Sequence, residues 1–327
     1  MQQRRLGPSG PMISAIGLGC MSFGGIFGAT TKQDSFACLD AALDAGITFY
    51  DTANIYGMGI SETVLGEWLA SRKPDVVLAT KAGVATTPTR HFDNSAAYLR
   101  AELTASLKRL GRESVELFYI HRREASRPIE EVVGTLKDLI AEGLIGSYGL
   151  SEIAPGTLRR AHAVHPCAAV QNEYSLWTRL PDLGLVQTCA ELGTTLVAFS
   201  PLARGVLGRE PFRPETLTKG DFRMNIPRFH EPDWSLNLTR IDAFRAFAAS
   251  LNLTPPALAL AWLLDQGPHI VPIPGTRTAD HLNDWATADQ IRFTPEMRAA
   301  LAQVLPVGWA HGDRYGNDGA AQVERYC

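Results

Sequence analysis

Short runs of β-branched and aromatic residues alternate with segments of helical spacing along most of this chain, and such an alternation leaves few folds open. The β-rich runs cover residues 15–19, 48–51, 76–81, 115–121, 145–151, 168–171, 194–200 and 269–274, eight in all. Between them, Thr31-Lys-Gln-Asp34 resembles a capping box ahead of a stripe of Phe36, Leu39 and Leu43, closed by Gly46. Leu99, Leu103, Leu107 and Leu110 form a second stripe before Gly111. Pro128 suits a first helical turn ahead of Val132, Val133, Leu136, Leu139 and Ile140, with Gly143 closing that helix. Thr254-Pro255 opens another helix, with Leu260, Leu263 and Leu264. Strand, helix, strand in repetition requires parallel pairing with helical crossovers. Eight strands favour a closed (β/α)8 TIM barrel, an α/β fold, over an open doubly wound sheet, and predict one domain over residues 1–327.

Three pieces fall outside the repeat. Residues 1–14, punctuated by Gly7-Pro8 and Ser9-Gly10, predict a β-hairpin over the barrel floor. Residues 204–238 form a Pro-rich insertion after the seventh strand, long enough to expect a functional role. The tail, 306–327, lacks helical periodicity and is expected to fold over the barrel mouth.

Composition excludes several classes of partner. With 45% hydrophobic residues, 20% charged residues and a net charge of -3, nothing draws the chain to nucleic acid or to an anionic membrane. No apolar run approaches the length of a membrane span. Cys20, Cys38, Cys167, Cys189 and Cys327 are odd in number, scattered and never in a Cys-x-x-Cys pair, which argues against a disulfide framework or a zinc site and fits a reducing, cytoplasmic setting. Arg4-Arg5 ahead of "PMISAIGLGCM" has the outline of an export signal, but Gly7-Pro8 and Gly10-Pro11 interrupt the apolar region that such a signal needs. No feature of the sequence specifies an oligomeric state.

In a barrel of this kind the chemistry sits at the carboxyl ends of the strands. The second run ends at Asp51 in "TFYDTANIYGMGISE", the third at Lys81 in "VVLATKAG", the fourth at His121 in "VELFYIHRR". Singly, each has an ordinary explanation: a carboxylate capping a turn, a solvated lysine, a hydrogen-bonded histidine. Three adjacent strands bringing such groups to one rim, with Tyr56 in the loop after the second, suit proton transfer to a carbonyl oxygen. An adjacent ammonium stabilises a phenolate, so Lys81 is expected to lower the phenol of Tyr56 below its usual value of about 10. Asp51 would keep Lys81 charged, and a neutral His121 would donate a hydrogen bond to the substrate oxygen. None of the four can give a hydride, so a cofactor must. Ser61 is expected to cap the helix that follows.

"DTANIYG" at 51–57, Lys81, "HR" at 121–122, "GLSE" at 149–152, "VQNEYSLWTR" at 170–179, "FSPLARG" at 199–205 and "IPGTR" at 273–277 together resemble the aldo-keto reductases. The likeness runs from "RRLGPSG" to "GDRYG" at 312–316, over nearly the whole chain, and is nearest the bacterial, fungal and plant branch with the pyridoxal reductase-like and perakine reductase-like enzymes. The resemblance implies NADP(H) bound across the barrel mouth, pro-R hydride transfer to a small-molecule carbonyl substrate, and a tetrad of Asp51, Tyr56, Lys81 and His121. It further implies cofactor contacts from Gly19, Cys20, Met21 and Asp51. Ser151 and Gln171 would hold the carboxamide, with Phe199 stacked on the nicotinamide. Ser200, Pro201, Leu202, Arg204 and Gly205 would follow the pyrophosphate, and Gly275, Thr276, Arg277, His281 and Asp284 would surround the adenosine end. Independently, Gly275-Thr276-Arg277 at the end of the eighth run offers amides, a hydroxyl and a guanidinium to a phosphate, so Arg277 is the reason to expect NADPH rather than NADH.

Three positions depart from the family pattern. Glu152 stands where many members have a carboxamide-contacting Asn, Trp285 where an Asn commonly reads the adenine edge, so that stacking is expected instead, and Arg123 where an aromatic residue is frequent. Arg122 and Arg123 beside His121 suggest anionic substrates, unless Arg123 pairs with Glu124 or lies in solvent. Two other readings compete. A Schiff-base lyase would use Lys81 as nucleophile, which a neighbouring Asp51 opposes. A redox-sensing NADPH-binding protein resembling potassium-channel β subunits would lack the histidine present here, as would a steroid double-bond reductase.

Overall fold

The computed structural model describes every residue except Thr218 and Cys327, so the last of the five cysteines and one position of the insertion lie outside the described residues. Eight strands form one sheet: β1 (Leu18–Gly19), β2 (Phe49–Asp51), β3 (Val77–Ala82), β4 (Leu117–Ile120), β5 (Tyr148–Ser151), β6 (Ala169–Glu173), β7 (Thr195–Phe199) and β8 (Ile270–Pro272). Each pairs in parallel with its neighbours in chain order. The sheet closes where Gly19 bridges Gly275 in parallel, with Gly17 N donating to Pro272 O and Gly19 N to Pro274 O, each at 3.0 Å. A Cβ on Gly19 would stand 2.9 Å from the Ile273 carbonyl, so this seam requires glycine. All eight β-rich runs hold a strand, most of them trimmed at the ends where the chain leaves the ladder.

The crossovers follow the expected signals. Thr31 accepts from Asp34 N while the Asp34 carboxylate accepts from Thr31 N, completing the capping box of helix Lys32–Asp44. Ser95 caps Ala96–Leu110, which ends with Gly111 in the left-handed region. Thr254 caps Pro255–Asp265. Pro128 sits one place earlier than expected, as the N-cap of Ile129–Ala141. Ser61 caps nothing: helix Ile60–Arg72 begins after Gly59, and the buried Ser61 hydroxyl donates to Cys20 O at 2.8 Å. Apolar faces of the helices pack on the outside of the sheet. Each fully buried Leu, Val or Phe there contributes roughly 1.5–3 kcal/mol.

A second, smaller core fills the barrel. Leu6 and Ile13, from the hairpin Gln3–Arg5 and Met12–Ser14, close its floor against Phe49, Ala79, Leu117, Tyr119, Val197 and Val271. Arg4 reaches outward from that hairpin to the carbonyls of Leu264 at 2.9 Å and Gly267 at 2.7 Å, so Arg4 is part of the folded barrel.

Two segments differ from expectation. The insertion after β7 runs through the 3-10 turns Pro214–Thr216, Phe222–Asn225 and Pro227–Phe229, and then enters an 18-residue helix, Asp233–Ser250, which starts five residues before the expected end of the loop. After β3 a two-residue ribbon, Val84–Ala85 with His91–Phe92, projects above the rim. Its strands are too short to carry a periodic signal. The tail does fold over the mouth, with a short helix Asn317–Ala320. Among the described residues no single helix is long and apolar enough to cross a membrane.

Candidate active site

Strand periodicity explains why the ionisable groups meet. Side chains two apart share a face of a strand, and Phe49, Ala79 and Tyr119 all point into the barrel core. Asp51, Lys81 and His121 lie two residues further along the same faces, one layer higher. The register adds the stagger of a tilted barrel: Asp51 pairs with Ala79, and Lys81 with Tyr119. The same step of two from Ala169 and Val197 brings Gln171 and Phe199 to that layer, opposite the tetrad strands.

Lys81 is fully buried at its centre. Its ammonium donates to Asp51 Oδ1, to Thr52 O at 2.7 Å and to Tyr56 Oη at 3.1 Å, so all three protons are engaged. The second oxygen of Asp51 accepts from Gln171 Nε2 at 2.7 Å. Burial works against the Lys81 cation, but Asp51 and then Tyr56 outweigh it and hold the group above the ordinary lysine value. Tyr56 reaches this point from a tight loop. Gly57 has φ +60°, and a Cβ there would come within 2.7 Å of Gly24 Cα, so the turn is pinned against the first βα loop.

The phenol itself does not behave as the sequence suggested. Its value is raised, not lowered, because loss of water on burial outweighs Lys81, whose charge is already shared with Asp51. Tyr56 therefore holds its proton at neutral pH, and the ammonium favours the phenolate only once the proton has left. His121 packs edge-on against Tyr56, ring centroids 5.7 Å apart at 84°. Burial first, then the charges of Arg122, Lys81 and Arg90, push its value well below the usual histidine range. The ring is thus neutral, and its Nδ1 has no partner among the described residues.

These groups form one end of a cavity of about 1100 Å³ that continues past β7 to Thr276, Arg277 and His281. Of the residues expected to hold a cofactor, Gly19, Met21, Asp51, Ser151, Gln171, Phe199, Ser200, Pro201, Leu202, Arg204, Gly205, Gly275, Thr276, Arg277 and His281 line it. Ser200, Ala203 and Arg204 have φ of 49°, 52° and 59°, backbone strain concentrated on the cavity wall. Arg277 is exposed and has no ion-pair partner among the described residues, a free cation at the far end.

Several expectations fail for identifiable reasons. The Cys20 thiol points back to Leu18 O at 3.7 Å, and the buried Asp284 pairs with Arg209, so neither side chain lines the cavity. Trp285 is packed in the outer core with 1% of its surface exposed and cannot stack on an adenine. Glu152 turns from the cavity to accept from Arg314, and its other oxygen takes the amide of Glu173 at 2.8 Å. Arg123 pairs with Glu324 of the tail, neither with Glu124 nor with substrate space. Sequence reasoning missed Phe27, Phe222 and Arg223, which line the cavity from the first βα loop and the insertion, and Arg90 and Tyr315, from the ribbon and the tail. The length of the insertion, the turn residues before Arg90 and the expected placement of the tail over the mouth were the signals available.

Known proteins share both sequence and fold. Residues 15–306 match the profile of the Aldo/keto reductase family. This chain belongs to the aldo/keto reductase family. Among its relatives, a protein described as a probable aldo-keto reductase from Glycine max is 37% identical over 97% of this chain and 92% of its own. An aldo-keto reductase of Schizosaccharomyces pombe whose name specifies NADP(+) is 38% identical over 93% and 92%. The solved structure of a glycerol dehydrogenase from Gluconobacter oxydans superposes with a TM-score of 0.85 at 28% identity, covering 93% of this chain and 94% of that one. An aldo-keto reductase of Bacillus halodurans in its holo form gives 0.79 at 25% identity, covering 95% and 98%. The chain is accordingly an oxidoreductase of the carbonyl-reducing class, a nicotinamide-dependent aldo/keto reductase.

Proposed function

We propose that this aldo/keto reductase, acting as one barrel unit over residues 1–327, uses NADPH to reduce aldehydes or ketones to alcohols, reversibly, with Tyr56 as the acid. The observation that carries the reading is Lys81, fully buried and bonded at once to Asp51 and to Tyr56 Oη. When bound, the reduced nicotinamide supplies the hydride. The protein's own residues supply the proton. Neutral His121 and the protonated phenol of Tyr56 face the same end of the cavity, where two donors can orient and polarise a carbonyl oxygen. As negative charge builds on that oxygen, Tyr56 gives up its proton and Lys81, already in hydrogen-bond contact, stabilises the phenolate. Asp51 keeps the lysine a cation, and Gln171 holds Asp51 in place.

The chemistry of the lining suits the dinucleotide. Ser151, Gln171 and Phe199 would hold the nicotinamide end, the strained turn from Ser200 to Gly205 the phosphates, and Gly275, Thr276, Arg277 and His281 the adenosine end. The Arg204 guanidinium is committed to Glu173, so its part is to shape the turn. Cys20 and Asp284 would support this wall from behind. The free cation of Arg277 supports the 2'-phosphate form, as does the NADP(+) in the name of the Schizosaccharomyces relative. Engagement of all three Lys81 protons speaks against a Schiff-base lyase. A cytoplasmic setting accompanies the reading, on the cysteine pattern.

The test is oxidation of NADPH and of NADH, in parallel, across aromatic, aliphatic, sugar-derived and pyridoxal-type aldehydes. Turnover with NADPH is expected. Tight NADPH binding without turnover of any carbonyl would replace the enzyme by the redox-sensing binding protein.

A further inference from the structure

At the substrate end of the cavity two arginines stand without carboxylate partners among the described residues. Arg90 comes from the ribbon after β3, and Arg122 follows His121 at the end of β4; both line the cavity. The other lining arginines differ: Arg204 is paired with Glu173, Arg223 with Asp221, and Arg277 lies at the far end. Arg122 is anchored by one nitrogen, which donates to His121 O at 2.6 Å and to Ser151 Oγ at 3.2 Å, leaving the rest of its fork uncommitted. The charges bearing on Arg90 are those of Arg122 and Tyr315, so the two guanidiniums face one another's field. Among the described residues, two carboxylates line the cavity. Asp51 is neutralised by Lys81, and Asp318 of the tail is exposed. A pair of like charges beside a buried neutral histidine is an unfavourable arrangement that a bound anion would relieve.

We propose that Arg90 and Arg122 form an anion subsite, and that the preferred substrates are aldehydes or ketones carrying a carboxylate or phosphate a short distance from the carbonyl. This rests on the carbonyl-reductase reading above. Planar guanidinium forks suit both anions, with paired N–H···O bonds to each. The second cation is Arg90, brought over the cavity by the ribbon, and not Arg123, which the tail removes.

The full-length enzyme is assayed with two matched pairs: 4-carboxybenzaldehyde against its methyl ester, and glyceraldehyde 3-phosphate against glyceraldehyde. The readout is the ratio of kcat/KM, charged over neutral, in wild type, Arg90→Gln and Arg90→Lys. In at least one pair the wild-type ratio is expected to exceed unity, to fall about fivefold or more in Arg90→Gln, and to fall less in Arg90→Lys, which keeps the charge without the fork. Which pair responds distinguishes carboxylate from phosphate. Ratios unchanged by Arg90→Gln in both pairs, with the neutral aldehydes still reduced, overturn the subsite and leave the reductase reading standing. If neither pair turns over, calorimetric titration of terephthalate and of inorganic phosphate into the NADP-saturated protein decides. Weaker binding by Arg90→Gln of either anion supports the subsite, and equal affinity for both ends it.

Discussion

Tyr56 and Lys81, 25 residues apart, meet in the buried layer above the barrel core with Oη 3.1 Å from Nζ. Since burial raises the phenol, the ammonium serves the product of proton transfer more than its start. Tyr56→Phe should lower kcat on the order of a thousandfold or more, as loss of a positioned acid does, while changing the Kd for NADPH less than about twofold. Stopped-flow reduction and fluorescence titration measure the two. A variant that keeps a tenth of the activity would remove Tyr56 from the role.

Lys81 also carries structural weight. Lys81→Met leaves Asp51 as a buried charge with only Gln171 for company, and should cost about 3–5 kcal/mol in urea unfolding. Replacing both, as Asp51→Asn with Lys81→Met, should recover much of that stability and none of the activity. If the double variant is as unstable as the single one, the pair is not what holds this layer together.

Protonation of His121 sets a pH dependence. Its folded value lies well below an unfolded value of about 6.5, so between the two the unfolded chain binds a proton that the folded chain refuses. Stability should therefore fall as pH is lowered through that window, and the fall should be smaller in His121→Asn. Denaturation midpoints at intervals from about pH 7.5 down to 5 test the sign. In the same range reduction should show no limb from His121, and a raised Tyr56 should keep the acid protonated to beyond about pH 9.

Arg277 separates the two nicotinamide cofactors. Arg277→Gln should raise the Kd for NADPH about tenfold or more and leave that for NADH nearly unchanged. Equal weakening of both would assign Arg277 to a general phosphate contact.

The tail is tied to the barrel by partly buried ion pairs. Arg314 contacts Glu152 and Glu173, and Glu324 accepts from Arg123, from Ala154 N at 2.8 Å and from Thr157 Oγ1 at 3.0 Å. Arg314→Met keeps Arg204 on Glu173 but strands Glu152, and should cost about 3 kcal/mol. It should speed proteolysis of the tail and raise KM for the carbonyl more than it lowers kcat, because Tyr315 and Asn317 line the cavity. A protease pattern and KM like wild type would show that the tail holds without it.

Hydrophobic alternation and cap residues were sufficient, without coordinates, to place eight strands, the hairpin and most crossovers, because those signals are local. The tetrad was legible for the same reason: a step of two along a strand fixes which side chains share a layer, so Asp51, Lys81 and His121 could be grouped by strand end. What periodicity could not carry was the partner of each charge. Arg123 and Glu324 lie 201 residues apart, Arg314 and Glu152 lie 162 apart, and only folding the tail across the mouth brings them together. The same closure turned Glu152 away from the cavity. The direction of the Tyr56 shift also belonged to the tertiary structure, since a nearby lysine lowers a phenol while the loss of water raises it. Sequence alone determined the barrel, the grouping of Asp51, Tyr56, Lys81 and His121 and the family likeness; the balance of burial against charge, and which arginines stay unpaired on the cavity wall, were decided only when distant loops packed over the rim.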